Sequence, residues 1–131
     1  MAANEPVVPS ASLELAEEFY EAYANSVYYE GSSWDLKLIF GQLDQREGKA
    51  KIVQHSAITV PWTQAKLMLY WLRGQIEAHE LANGKIHIPK SIIPGPLPPF
   101  DEEMKKLDPN AEAVYAIFKR LRDEFIASLG K

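Results

Sequence analysis

A long helix with two apolar sides is the feature that most constrains how this chain folds. Pro61 opens a predicted helix of about 20 residues and about 30 Å, which closes near Gly84. One apolar stripe along this helix holds Ala65, Met68, Leu69, Leu72 and Ile76. The stripe on the opposite side holds Leu67, Trp71, Gly74 and Ala78. A helix with two apolar stripes needs cover on two sides.

Three strands are predicted upstream of this helix, over residues 25–30, 34–40 and 50–60. Residues with high strand propensity fill the first, and apolar residues alternate along the second. Polar residues interrupt the third, so it has either two semi-apolar faces or a β-bulge. Because the connections are short, the strands should form an antiparallel meander. The predicted fold class is therefore α+β, with a three-stranded antiparallel meander packed on the long helix.

The N-terminal region before the first strand divides into two parts. Residues 1–10 contain two prolines and no periodicity, which predicts a flexible leader. Residues 11–23 predict a short amphipathic helix, because apolar residues recur at helical spacing opposite four glutamates. The apolar positions of this predicted helix are Leu13, Ala16, Phe19, Tyr20 and Tyr23.

A proline-rich segment, residues 85–107, follows the long helix. Its five prolines exclude a helix or a central strand and predict an extended, polyproline-like arm. Residues 86–100 of the arm also carry six large apolar residues, so the arm should lie against an apolar surface. These residues are Ile86, Ile88, Ile92, Ile93, Leu97 and Phe100.

Residues 108–131 predict a C-terminal helix, which begins at Asp108 and Pro109 and ends at Gly130. Its predicted apolar face consists of Val114, Ile117, Phe118, Leu121 and Phe125. With residues 11–84 as an α+β core, the 131 residues suffice for a single domain.

The composition excludes several classes of function. The absence of cysteine excludes disulfides and thiolate-based zinc sites, and it suits a cytoplasmic protein. A net charge of −4 argues against a broad grip on nucleic-acid phosphates. No run approaches the roughly 18 apolar residues of a membrane span. We therefore expect neither nucleic acid nor a membrane as a partner.

Three short motifs resemble domain of unknown function 3467, an uncharacterised and mainly bacterial family. Residues 23–27 (Tyr-Ala-Asn-Ser-Val) resemble its opening motif, and Phe40-Gly41 resembles the end of its second strand. Ala65-Lys66, with two leucines downstream, resembles its long helix. The resemblance covers about residues 22–84 and implies a small α+β unit. It implies no catalytic residues.

No residue pattern points to a particular chemistry. The three histidines lack the spacing of four that places two imidazoles on one helical face, and His79 beside Glu77 and Glu80 is best interpreted as an exposed helix end. The acidic run 101–103 is typical of a solvated surface. Acidic residues interrupt the basic residues of the C-terminal helix. We predict no enzyme activity, no metal site and no cofactor.

The surplus of apolar faces leads to the main functional hypothesis, a non-enzymatic homo-oligomer, most simply a dimer, that acts as a structural or protein-interaction module. Its predicted interface residues are Leu67, Trp71, Gly74, Ala78, Ile92, Ile93, Leu97 and Phe100.

Two alternatives stay open at this point. The first is an adaptor that binds another protein through residues 86–100. The second is a small-molecule binder or enzyme with an aromatic-lined pocket. The aromatic residues considered for that pocket are Tyr28, Tyr29, Trp34, Trp62, Tyr70 and Trp71.

Overall fold

The computed structural model describes residues 11–130, so the predicted leader over residues 1–10 lies outside the described part. The strands are β1 (Ser26–Gly31), β2 (Asp35–Asp44) and β3 (Lys51–Pro61), and the helices are α1 (Trp62–Asn83), α2 (Met104–Leu107) and α3 (Ala111–Leu129). Short 3-10 turns occupy Arg46–Gly48 and Lys90–Ile92. Within the described residues, every helix is too short or too polar to cross a membrane.

The three strands form one antiparallel sheet in the order β1-β2-β3, which confirms the predicted meander. The central strand places Leu38 between Tyr29 on β1 and Ile58 on β3. Leu38 is 7% exposed and is the one apolar side chain classed as buried among the described residues. The core of the sheet is therefore a single leucine with half-covered neighbours.

A β-bulge interrupts the pairing of β2 with β3. Phe40 pairs with Ser56 and Gly41 pairs with Gln54, so His55 is the extra residue on β3. The backbones approach closely there, since a Cβ atom on Gly41 would lie 2.7 Å from the Val53 carbonyl oxygen. Glycine is required at this position because any side chain would force the two strands apart.

A tryptophan ties the start of α1 to the β1–β2 turn. Trp62 donates its indole N–H to the Ser32 carbonyl oxygen at 2.8 Å. Its ring lies so close to Gly31 that an added Cβ would sit 3.1 Å from it. Pro61 ends β3. Gly84 follows the last residue of α1 with φ +88°, and its N–H donates to the Glu80 carbonyl oxygen at 2.9 Å. Both ends of α1 therefore lie where the sequence predicts them.

The chain divides into two compact units between Trp71 and Leu72. We call them the sheet unit, up to Trp71, and the helical unit, from Leu72 onward.

In the sheet unit, α1 is not covered by the meander, so the predicted packing of the sheet on the helix is wrong there. Leu69 and Trp71 are 69% and 62% exposed, and Ala65 and Met68 are half-buried. The reason lies in the connection, because β3 ends at Pro61 and α1 begins at the next residue. Strand-to-helix loops usually supply about two to six residues for the reversal.

The predicted N-terminal helix over residues 11–23 is also wrong. The segment is irregular, with one turn in which the Phe19 N–H donates to the Ala16 carbonyl at 3.1 Å. A helix would place Glu14 beside Glu18 and Glu17 beside Glu21, and like charges four residues apart destabilise a helix. A helix this short is marginal in any case without tertiary cover.

The helical unit contains the second half of α1, the proline-rich segment, α2 and α3. The C-terminal helix is present, although it begins at Ala111, because the Asp108 carboxylate accepts the Asn110 N–H at 2.9 Å and holds a turn before it. The short helix α2 was not predicted. Residues 84–103 contain no strand and no α-helix, as their prolines require.

Candidate functional site

The second stripe of α1 is exposed along its length. Leu67 and Trp71 are 53% and 62% exposed, and Ala78 is also exposed. A Cβ built on Gly74 meets no described atom within 4 Å. The four residues at positions 67, 71, 74 and 78 recur at intervals of four, three and four, which places them on one helical face. This half of the predicted interface set therefore shares one face of α1, and its members are exposed.

The other predicted interface residues divide between exposed and half-buried positions. Ile92 is 56% exposed on the 3-10 turn, whereas Ile93 and Leu97 are half-buried. Phe100 is half-buried and packs on the Tyr115 ring, with 5.3 Å between ring centroids. The proline-rich segment therefore turns some of its apolar residues toward α3 and leaves Ile92 facing solvent.

Two hydrogen bonds fasten the proline-rich segment to α3. Tyr115 donates its hydroxyl to the Pro98 carbonyl oxygen at 2.6 Å, and Arg122 donates Nε–H to the Pro94 carbonyl oxygen at 3.0 Å. Tyr115 and Arg122 lie two turns apart on one face of the helix. Proline-rich backbone has carbonyl acceptors and few N–H donors, so donor side chains on the helix suit it.

The face of α3 that holds the proline-rich segment differs from its apolar stripe. The half-buried positions on α3 are Ala111, Tyr115, Arg122, Ile126 and Leu129. The predicted apolar face stays 39–59% exposed at Val114, Ile117, Phe118, Leu121 and Phe125. The segment thus covers the flank of α3 and leaves the stripe beside it open.

Lys105 and Arg120, two of the basic residues near α3, pair with acidic neighbours. Lys105 lies 3.0 Å from Glu102 and 3.1 Å from Glu112, and these carboxylates raise the pKa of the lysine. Arg120 lies 3.7 Å from Glu124. These pairs are well exposed, and exposed pairs contribute little to stability. The acidic residues interleaved in the sequence thus lie close enough to pair with Lys105 and Arg120.

A groove of about 470 Å³ lies beside the bulged His55 in the sheet unit. Its walls come from β2, β3 and the irregular N-terminal segment, and include Phe19, Tyr20, Phe40 and Ile58. His55 Nε2 lies 2.9 Å from the Tyr23 carbonyl oxygen, which only accepts, so Nε2–H is the donor. The bulge thus aims the imidazole at the N-terminal segment and holds it on the sheet.

His55 has a second hydrogen bond, with 2.9 Å between Nδ1 and the Ser56 hydroxyl oxygen. With Nε2 protonated, Nδ1 of the neutral ring accepts the hydroxyl proton. Both ring nitrogens are therefore engaged in holding the fold. The sequence analysis did not select His55 as a site residue, although the polar residues around it had indicated a bulge.

Asn25 holds the end of β2 through two hydrogen bonds. It belongs to the motif of residues 23–27 described above. Its N–H donates to the Gly41 carbonyl at 3.1 Å, and its side-chain oxygen accepts the Leu43 N–H at 2.8 Å. Asn25 therefore supports the bulged region from the β1 side, and Gly41 permits the close approach from the β3 side.

The candidates for metal binding make other contacts. Glu77 pairs with Arg73 at 2.8 Å, and Glu80 accepts the Ile86 N–H at 2.9 Å. The His79 carbonyl accepts the side-chain N–H of Asn83 at 3.1 Å. Within residues 11–130 no group of three histidine, aspartate or glutamate side chains has the arrangement of a metal site.

The aromatic set considered for a ligand pocket is dispersed. Trp62 is engaged at the β1–β2 turn, Tyr70 packs edge-on against Trp71 at 4.9 Å, and Trp34 is 85% exposed. The groove beside His55 is lined by other aromatic residues.

Comparison with protein families identifies the family. The model of the family described as protein of unknown function (DUF3467) matches residues 3–88, about two thirds of the chain. The chain therefore belongs to the DUF3467 family, as its three motifs had suggested. Neither a search of curated proteins nor a search of solved structures gave a match.

Proposed function

We propose that this member of the DUF3467 family is a non-enzymatic homodimer that serves as a structural or protein-interaction module. The observation that carries the proposal is the near absence of a core in the described chain. Leu38 is the one apolar side chain classed as buried there, whereas Trp34 and Leu81 are 85% and 90% exposed. A contiguous exposed apolar surface is typical of an interaction site.

The strongest support comes from α1. This helix of 22 residues has Gly74 in its middle, which costs about 1 kcal/mol relative to alanine. Most helical stability in proteins comes from packing of an apolar face. Full burial of one leucine side chain contributes about 1.5–3 kcal/mol. Leu67, Leu69 and Trp71 are more than half exposed. Contact with another molecule would supply this missing stabilisation.

The small residues of the second stripe suit a helix partner. Gly74 and Ala78 lie one turn apart beside Trp71, so another backbone can approach α1 closely at this point. Open space around Gly74 is consistent with a partner at this position. A two-fold axis would set the same stripe of each copy against the other, and most soluble oligomers are symmetric homo-oligomers.

The exposed stripe of α3 supports the same conclusion. Phe118 and Leu121 are 59% and 46% exposed, and the proline-rich segment occupies the neighbouring face. In the proposed dimer the proline-rich segment acts as an arm that carries Ile92 to the partner, as predicted from its composition. The cytoplasm is the proposed location, which suits a chain without cysteine.

Mass measurement on two matched variants tests the proposal. We expect light scattering to give a dimer for the wild type at micromolar concentration. Trp71→Ala should give a monomer with a reduced helical signal, and Arg73→Ala, on the polar edge of the same helix, should remain a dimer. A wild-type monomer at these concentrations would refute the dimer.

One observation favours an adaptor as the second candidate. Ile92 is 56% exposed on a 3-10 turn, in a segment whose Pro94 and Pro98 carbonyls are held on α3. A fixed extended segment has a low ordering cost on binding. Pull-down with the wild type and Ile92→Asp tests this function, with Lys90→Asp as the control. Retention of the same bound proteins by Ile92→Asp would count against it.

A further inference from the structure

The groove beside His55 lies on the face of the sheet that carries the buried Leu38. Ile58 is directly opposite Leu38, and Phe40 is two residues farther along β2, so the three side chains share this face. The irregular N-terminal segment supplies the other wall of the groove. The groove is therefore formed where this segment lies against the sheet.

Hydrogen bonds hold the N-terminal segment in place at the end that adjoins β1. His55 donates Nε2–H to the Tyr23 carbonyl oxygen at 2.9 Å, and the Asn25 N–H donates to the Gly41 carbonyl oxygen at 3.1 Å. These bonds fix part of the wall before any ligand binds, and a preformed wall lowers the ordering cost of binding.

The size and the lining of the groove are those of a small-molecule site. Its volume of about 470 Å³ lies within the range of about 300–1,000 Å³ that such sites occupy. Three aromatic rings, from Phe19, Tyr20 and Phe40, line it together with Ile58 and three alanines. Phe19 and Tyr20 are more than half exposed, so their rings are accessible to a ligand.

One charged side chain accompanies this apolar lining. With His55 neutral, as its two hydrogen bonds allow, Glu18 is the one formally charged residue among the ten described residues of the lining. Glu18 forms no ion pair with any residue in the described range 11–130. Residues 11–24 contain four glutamates and no lysine, arginine or histidine, so the electrostatic potential along this wall is negative.

We propose that the groove binds a small organic cation, an ammonium group joined to an aromatic or branched aliphatic body. The faces of aromatic rings attract cations, and the Glu18 carboxylate supplies the opposite charge. The apolar body of the ligand lies against Phe40 and Ile58 on the sheet. A neutral ligand leaves Glu18 without a partner, and an anion is repelled by it.

This site is separate from the surfaces of the proposed homodimer. None of the eight predicted interface residues is among the described residues that line the groove. The inference therefore goes beyond the proposed function and does not depend on it.

Three probes of similar shape and different charge test the proposal. They are phenethylamine, which is a cation at neutral pH, phenethyl alcohol, which is neutral, and phenylacetate, which is an anion. Each is titrated into the isotope-labelled full chain, and the NMR chemical shifts give both the location of binding and the dissociation constant.

Phenethylamine should shift the amide signals of Phe40, His55 and Ile58. We expect it to bind about tenfold more tightly than phenethyl alcohol, which is roughly the combined effect of a cation–π contact and an exposed ion pair. Phenylacetate should bind most weakly of the three.

Glu18→Gln and Glu21→Gln form a matched pair of variants. Both glutamates are exposed, and Glu21 does not line the groove. Glu18→Gln should weaken the binding of phenethylamine about fivefold, the effect of one exposed ion pair, and leave phenethyl alcohol unchanged. Glu21→Gln should bind both probes as the wild type does.

Three results would overturn the proposal. The first is equal affinity for phenethylamine and phenethyl alcohol, and the second is the absence of shifts at the groove residues. The third is an equal loss of affinity in the two variants, which would show a general attraction to the acidic segment without a defined site. Each of these results leaves the homodimer, which is tested by mass, unaffected.

Discussion

In the sheet, β2 lies between two strands and carries the buried Leu38, whereas α1 and α3 each carry an apolar stripe that stays exposed. The sheet is held by contacts that fix individual atoms, such as the Asn25 clamp on β2 and the Trp62 hydrogen bond to Ser32. The apolar stripes of the long helices have no comparable contacts and stay largely exposed. Local hydrogen bonding can thus define the geometry of a small sheet without a large core, whereas the proposed dimer assigns the cover of the helical faces to a second copy.

The largest expected effect comes from the tightest contact in the sheet. In Gly41→Ala the new methyl group would lie 2.7 Å from the Val53 carbonyl oxygen and 3.0 Å from the Ile52 side chain. Since overpacking can cost up to about 3 kcal/mol, we expect a loss of roughly 3 kcal/mol in urea denaturation at fixed protein concentration. Gly95→Ala, where nothing lies within 4 Å of the added carbon, is the control. Equal stability of the two variants would show that the bulge is not tightly packed.

Gly74→Ala tests whether another backbone approaches α1. A free helix and a covered helix predict opposite effects of this substitution on stability. In a free helix, alanine would add about 1 kcal/mol of stability. If a second backbone approaches Gly74, overpacking outweighs that gain, and we expect the dimer dissociation constant to rise about fivefold. Sedimentation over a dilution series measures this constant, with Arg73→Ala as the control. A more stable helix with unchanged association would place the second copy elsewhere.

Tyr115→Phe tests whether the Tyr115 hydroxyl holds the proline-rich segment on α3. It removes the 2.6 Å hydrogen bond to the Pro98 carbonyl, and the expected loss is about 1 kcal/mol. Trypsin should cleave faster after Lys90, because the segment leaves α3 more often. Tyr70→Phe is the matched control, since the Tyr70 hydroxyl makes no hydrogen bond to the described residues. Equal cleavage rates would show that the tyrosine does not hold the segment.

The smallest expected effect is a loss of local stability around Asp44 at acidic pH. Asp44 accepts hydrogen bonds from the side chain and backbone of Arg46, which lower the pKa of its carboxyl group. A carboxylate with a lowered folded pKa contributes its full stabilisation above the ordinary carboxyl range, and that contribution disappears as the pH falls through the lowered value. The protection of the Arg46 amide against hydrogen exchange, relative to the intrinsic rate at each pH, should fall over this acidic interval. Asp44→Asn should remove that acid dependence, and a carboxyl that titrates at or above its ordinary value would contradict the assignment.

The sequence predicts the order of the elements well, because strong local signals mark them. Alternating apolar residues indicated β2. The positions of Pro61 and Gly84 indicated the two ends of α1, and Gly130 indicated the end of α3. The predicted N-terminal helix is wrong because the glutamates four residues apart on its other face would repel one another. The predicted packing of the sheet on α1 is wrong because no loop separates Pro61 from the first residue of the helix.

The contacts that hold the candidate surfaces were less accessible from the sequence. The His55 bond to Tyr23 joins residues 32 positions apart, and no periodic signal links them. Tyr115 and Arg122 could have been found, since they recur two turns apart on one side of α3. Their acceptors are backbone carbonyls of proline residues, and any residue supplies such an acceptor, so the sequence could not indicate the partner.

Circular dichroism over a dilution series, with the mass followed by light scattering, tests the central claim most directly. If a second copy covers the apolar faces of α1 and α3, the helical signal and the dimer mass should decrease together on dilution. A monomeric mass at every concentration, with an undiminished helical signal, would show that the helices are stable without a second copy and would contradict the account.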